Sequence, residues 1–126
     1  MLQLLSLRYT DSEQAAEPFV AAHVAFLERH HGEGTFLVSG QTVPSSVGGA
    51  ILAHGVDRAA VERIAAEDPF VVNGVAAYTV TTITPARIHP ALRDLLNAGR
   101  WQGSSGAGGT PGGQRSPGTC EGDTRP

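Results

Sequence analysis

The side chains of this chain best suited to chemistry are five histidines, His23, His30, His31, His54 and His89, and one acid before a proline, Asp68. Imidazole ordinarily titrates near neutrality, so a partly desolvated histidine is a natural general acid/base. On a helical wheel, Val20, Val24, Leu27 and His31 form one stripe, predicted to face the core. Phe19, His23, Phe26 and His30 form the neighbouring stripe. His23 is thus expected between two phenylalanines at the edge of the buried arc. On spacing alone, such a histidine is more often a hydrogen-bonded boundary residue than a catalyst.

Other chemistries are poorly supplied. His30 and His31 are adjacent and would point about 100° apart on a helix, a poor chelate, and His23 lies two turns from His30. No HExxH or CxxC occurs, and no metal is expected. No GxSxG is present, and Ser39 stands at a strand end. The glycines of "GGAILAHG" suit a bulge or a close backbone approach rather than a phosphate cradle. Asp68, in "AEDPFVVNG", follows a helical pattern at its C-terminal end, where the macrodipole disfavours negative charge, and Pro69 pushes it toward extended geometry. A cap gains little there, which points to another use for Asp68. Phe70 is expected to plug the core.

The elements that must position these residues follow from periodicity and punctuation. "LQLLSLRYT" (2–10) is a predicted strand, and Thr10, Asp11 or Ser12 a predicted N-cap. Residues 13–31 carry helical spacing, with Pro18 tolerable only if the regular helix begins near it, and Gly32 and Gly34 end it. "TFLVSG" (35–40) and "VGGAILAHG" (47–55) are the second and third strands. Asp57 caps an amphipathic helix over 58–67, with Ala60, Val61, Ile64 and Ala65 on one side. "VAAYTVTTI" (75–83) is the fourth strand, and a short helix at 90–98 closes the domain. The order βαββαβ predicts an α+β, ferredoxin-like sandwich with both helices on one face of an antiparallel sheet. The other face, bearing Leu4, Ser6 and Arg8 or their alternates, needs a cover, and a second copy of the sheet supplies one.

Composition bounds the function. Of 126 residues, those from Gln102 onward include no aliphatic side chain larger than alanine and hold eight of the 16 glycines, so a domain over 1–101 and a disordered Gly/Ser/Pro-rich tail over 102–126 are expected. The nine basic residues are all arginine, scattered, and the net charge is −3, which leaves out the footprint of a nucleic-acid binder. The single cysteine, Cys120, lies in the tail, so no disulfide framework is expected. "MLQLLSL" is too short to span a membrane and runs on without a cleavage site, so a soluble, cytoplasmic protein is expected.

Four stretches in order, "RYTD", "AAHVAFLERHHGEGTFLVSG", "GGAIL" and "AEDPFVVNGVAAYTV", make residues 2–87 resemble the YCII-related family. The resemblance implies a dimeric α/β barrel, akin to muconolactone isomerase-like proteins, with a pocket between sheet and helices in each subunit. It implies that His23 and Asp68 pair at that pocket as an acid/base dyad, without a cofactor. Ser39, Tyr9 and Tyr78 are the expected pocket donors for a small-molecule ligand. Two departures stand out: Phe19 and Val20 occupy the place where many relatives have an arginine, and Gln41 replaces a proline after Ser39-Gly40. The expected function is lyase or isomerase chemistry on a small molecule. The competing expectations are a non-catalytic dimeric module, binding a small molecule or purely structural, and a cofactor-free monooxygenase.

Overall fold

Alternation organises the first strand. In β1 (Leu2–Tyr9), Gln3, Leu5 and Leu7 are buried, while Leu2, Leu4 and Ser6 are half-buried and Arg8 is exposed. Successive side chains of a strand point to opposite faces, so one face of β1 carries the core. The computed structural model describes residues 1–98, and the expected tail and Cys120 lie outside the described residues. The chain divides into a unit over Met1–Arg87 and a second from Ile88 onward.

In the first unit β1 is central. It pairs antiparallel with β3 (Gly48–His54) and β4 (Ala76–Ile83), and β2 (Phe36–Gln41) pairs antiparallel with β3. The sheet order β2-β3-β1-β4 is that of the ferredoxin-like α+β fold. Pro18 has the expected effect. It splits the first helical segment into α1 (Glu13–Ala16), a 3-10 turn over Glu17–Phe19, and α2 (Val20–Gly32). Ser12 caps α1, its hydroxyl accepting from the Ala15 N–H at 3.2 Å. Asp57 caps α3 (Arg58–Ala65), accepting from the Ala60 N–H at 2.7 Å. A further short helix, α4 (Pro69–Val72), follows directly.

Val61 and Ala65 of α3 meet Leu5, Phe26, Phe36 and Ile51 in the main core, and Leu7, Ala16, Phe70 and Ala76 form a second cluster. Buried Gln3 is satisfied at both ends. Its amide donates to the Val56 carbonyl at 3.2 Å and accepts from the Thr82 hydroxyl at 2.7 Å. Gly48 has φ +150°, and a Cβ there would stand 1.8 Å from the Leu7 carbonyl oxygen. A Cβ on Gly49 would come within 2.8 Å of the Gly40 oxygen, so these glycines serve close strand approach. The bulge falls instead in β2, between Phe36 and Val38.

The helical wheel of α2 needs correction. Phe26 and His30 are buried, whereas Val20 and Val24 remain 43% and 41% exposed. The Phe19–His30 stripe turns to the core, and the valines look over a cavity. Apolar character on a helix marks what is turned from water, and a cavity wall satisfies it as well as packed neighbours do.

In the second unit α5 (Pro90–Ala98) has proline at its first position, and the His89 ring nitrogen Nδ1 accepts from the Ala91 N–H at 3.0 Å. Among the described residues no helix is long and apolar enough to cross a membrane.

Leu5 is fully buried at the sheet centre. Leu5→Ala is expected to lower unfolding free energy by about 2–5 kcal/mol in urea titration. A loss under about 1 kcal/mol would place the core on the other face of the sheet.

Candidate active site

Asp68 is an N-cap after all. Asp followed by Pro supplies a side-chain acceptor and a first helical residue that lacks an N–H. Its Oδ1 accepts from the Phe70 N–H at 2.9 Å, and α4 begins at Pro69. The helix that ends before Asp68 disfavours an acid there, but α4, which starts behind it, favours one.

Asp68 is also completely buried. A carboxylate so far from water is strongly destabilising unless donors surround it. Three do. Besides the Phe70 N–H, the Tyr78 hydroxyl donates to Oδ2 at 2.6 Å, and His23 Nδ1 lies 2.9 Å from both oxygens. An ionised carboxylate only accepts, which puts the neutral imidazole's proton on Nδ1 and the lone pair on Nε2.

His23 comes from α2, Asp68 from the start of α4 and Tyr78 from β4. The His23 ring lies flat on Phe70, centroids 4.0 Å apart and planes 7° from parallel. Phe26 lies farther off, at 6.4 Å. The His23 side chain keeps 13% exposure, and among the described residues its Nε2 has no hydrogen-bond partner. His23, Phe70 and Tyr78 line a cavity of about 230 Å³. Val20, Val24, Leu27 and Ile51 supply apolar wall, and among the described residues no arginine, lysine, aspartate or glutamate lines it.

The three expected pocket donors differ in what they offer. Tyr9 lines the cavity and packs edge-on against Phe70 at 6.2 Å. Its hydroxyl has no hydrogen bond among the described residues, and burial, then Glu13, raise its pKa. The Tyr78 hydroxyl is committed to Asp68. Ser39 lines the cavity, but its hydroxyl meets His31 Nε2 at 2.8 Å. His31 was placed in the core stripe, and no local pattern shows that β2 brings Ser39 back to it.

His30 and His54 lie in other contacts. His30 Nδ1 is 3.1 Å from Glu33 Oε1, and His54 Nε2 is 3.0 Å from the Gly34 carbonyl oxygen. Among the described residues no group of three His, Cys, Asp or Glu is placed to hold a metal ion.

Burial above all, then the hydrogen bond and the charge of Asp68, push the Tyr78 phenol far above its ordinary value of 10.0. Unfolded Tyr78 loses its proton above about pH 10 while the folded form keeps it. Unfolding then releases a proton, so the stability Tyr78 contributes is whole below pH 10 and falls as the pH rises further. Tyr78→Phe is expected to cost about 1.5–3 kcal/mol near neutrality. It should also flatten the decline between pH 10 and 11 in urea midpoints, with Tyr9 present in both proteins as the internal control.

Among solved structures the chain is similar to 5-chloro-2-hydroxyhydroquinone dehydrochlorinase from Burkholderia phenoliruptrix AC1100, in a complex with 2,5-dihydroxybenzoquinone. The match has a TM-score of 0.55 and 23% identity, over 67% of this chain and 94% of that one. Curated proteins give no match. At this identity the likeness is one of fold. The YCII-related domain profile matches residues 1–84, two thirds of the sequence, and the chain belongs to the YCII-related family.

Proposed function

We propose that the cavity is the active site of a small-molecule lyase or isomerase in which His23 is the general acid/base and Asp68 its orienting partner. The observation that carries this reading is the unbonded Nε2 of His23 at an apolar cavity, with Nδ1 tied to a buried carboxylate. The Nε2 lone pair takes a proton from a ring hydroxyl or an acidic C–H, and Asp68 stabilises the imidazolium formed. From an acidic C–H, the electron pair left behind expels a leaving group on the neighbouring carbon. From a ring hydroxyl, the ring is first reprotonated by the imidazolium at the carbon bearing the leaving group. Loss of a second hydroxyl proton to Nε2 then expels that group with its electron pair, a lyase step. Reprotonation at another carbon without such loss is an isomerisation. Neither route needs an oxidant or a reductant. A 230 Å³ cavity suits one ring, since an apolar cavity of about 150 Å³ holds benzene. The dehydrochlorinase of similar fold supports a hydroxylated, halogenated ring as the first substrate to try.

One observation favours a second reading. Asp68 joins α2, α4 and β4 through its hydrogen bonds, as a purely structural node in a non-catalytic module would. Replacing Asp68 therefore weakens the fold under both readings and separates nothing. His23 is the discriminating position. With 5-chloro-2-hydroxyhydroquinone as substrate and chloride release as readout, His23→Asn is expected to lower kcat by about 10²–10⁴-fold while the chain stays folded by circular dichroism. Turnover at the wild-type rate in a folded His23→Asn protein would remove His23 from the chemistry. Absence of chloride release from wild type as well would leave only the structural node.

The enzyme is further proposed to be a cytoplasmic homodimer joined through the sheet face opposite the helices, closing a dimeric α/β barrel. That face carries Leu4 opposite Leu52, with Val38 beyond, and Val38 is 61% exposed. An apolar stripe on an open sheet is a surface for association. Sedimentation should give the mass of two chains at micromolar concentration, and Leu52→Arg should give that of one.

A further inference from the structure

His31 and Ser39 have no part in the chemistry assigned to His23, yet they form a built polar contact at the same cavity. His31 stands in the last turn of α2 and Ser39 in β2, with Nε2 and Oγ 2.8 Å apart. The His31 ring is held edge-on against Phe36, centroids 5.9 Å apart at 84°. Ser39 lines the cavity, on the strand face shared with Ile51. His23 and His31 are eight residues apart on one helix, about 12 Å along its axis at 1.5 Å per residue. His23 meets Asp68 beside Tyr78 of β4, whereas Ser39 stands on β2, the opposite edge strand. The two polar groups therefore lie toward opposite sides of the cavity, with Val20, Val24, Leu27 and Ile51 in its apolar wall.

We propose that His31 positions the Ser39 hydroxyl as a second recognition point, so that the cavity selects rings bearing oxygens at two opposite positions over rings bearing one. This rests on the ring-binding reading of the cavity. The chemistry of the pair suits an oxygen that is hydroxyl in one state and carbonyl in another. With the His31 proton on Nδ1, Nε2 accepts from the Ser39 hydroxyl, and Oγ is left to accept from a ligand hydroxyl. With the proton on Nε2, the ring donates to Oγ, and the Ser39 hydroxyl is free to donate to a ligand carbonyl. A bare serine would lack this fixed orientation. His31 is then a positioning residue, acting through Ser39.

Affinities for 1,4-hydroquinone and for phenol, measured by calorimetry on the full chain, test this. Wild type is expected to bind hydroquinone roughly three- to tenfold more tightly than phenol, the range of one added hydrogen bond. Ser39→Ala should erase that ratio while phenol affinity stays unchanged. His31→Phe keeps a ring against Phe36 and should also shrink the ratio. His31→Gln, which can donate to or accept from Oγ, should restore most of it. A purely structural His31 would move both affinities together and leave the ratio alone. Equal wild-type affinities, or a ratio that survives in folded Ser39→Ala, overturn this inference and leave the ring-binding reading standing. If wild type binds neither compound, both fall.

Discussion

A carboxylate removed from water must be met by donors, and the burial of Asp68 governs much of how this molecule is arranged. Here three separate elements supply its three donors. The Phe70 N–H comes from α4, the hydroxyl of Tyr78 from β4 and the imidazole of His23 from α2. Each must arrive within hydrogen-bond distance, so the packing of two helices and a strand is fixed at one point. Full burial sharpens the demand, because an unmet charge there is far more destabilising than at the surface. The same demand explains the flat contact of His23 on Phe70. The ring must present Nδ1 to both oxygens, and the backbone that starts α4 places Phe70 beneath it.

Much of this was legible in the amino-acid order, because strands and caps are local signals. The strand over 2–10, a helix start near Pro18, a cap among Thr10, Asp11 and Ser12, the Asp57 cap and the helix at 90–98 all follow from neighbours within a few residues. His23 and Asp68 were singled out, but their proximity, 45 residues apart, came from family likeness rather than from spacing. What stayed hidden was relational. Asp68 was judged against the helix it ends, while its cap belongs to α4, a single turn too short to show periodicity. Tyr78 was identified as a donor, yet nothing local assigns its hydroxyl to Asp68 rather than to a ligand. The wheel of α2 ranked two apolar stripes correctly as apolar and chose the wrong one as core. Val20 and Val24 face a cavity, and hydrophobicity alone cannot tell a cavity from a core.

That ambiguity has a functional side. A helix stripe of valine and leucine over open space leaves apolar surface partly in water, and contiguous surface of that kind marks a ligand-binding groove. The glycines opposite serve the same end. Gly48 and Gly49 let β3 approach β1 and β2 with no side chain between, and both line the cavity. The cavity therefore has partly exposed valines on its helix side and closely paired strand backbone on its sheet side.

The charge balance of this cavity constrains the chemistry proposed for it. With no arginine or lysine in its lining, a ligand carrying a fixed negative charge would leave water without a compensating partner. A neutral ring enters at no such cost. In the proposed reaction negative charge arises only when the ring gives its proton to His23, and at that moment the imidazolium stands beside it. The positive charge appears together with the negative one, and Asp68 behind the ring keeps the imidazolium from being stranded. An arginine at the position of Val20 would add its charge to the anion as it forms. Without one, that stabilisation falls to the His23 imidazolium, with Asp68 behind it, which ties the developing negative charge to the one group that has taken the proton.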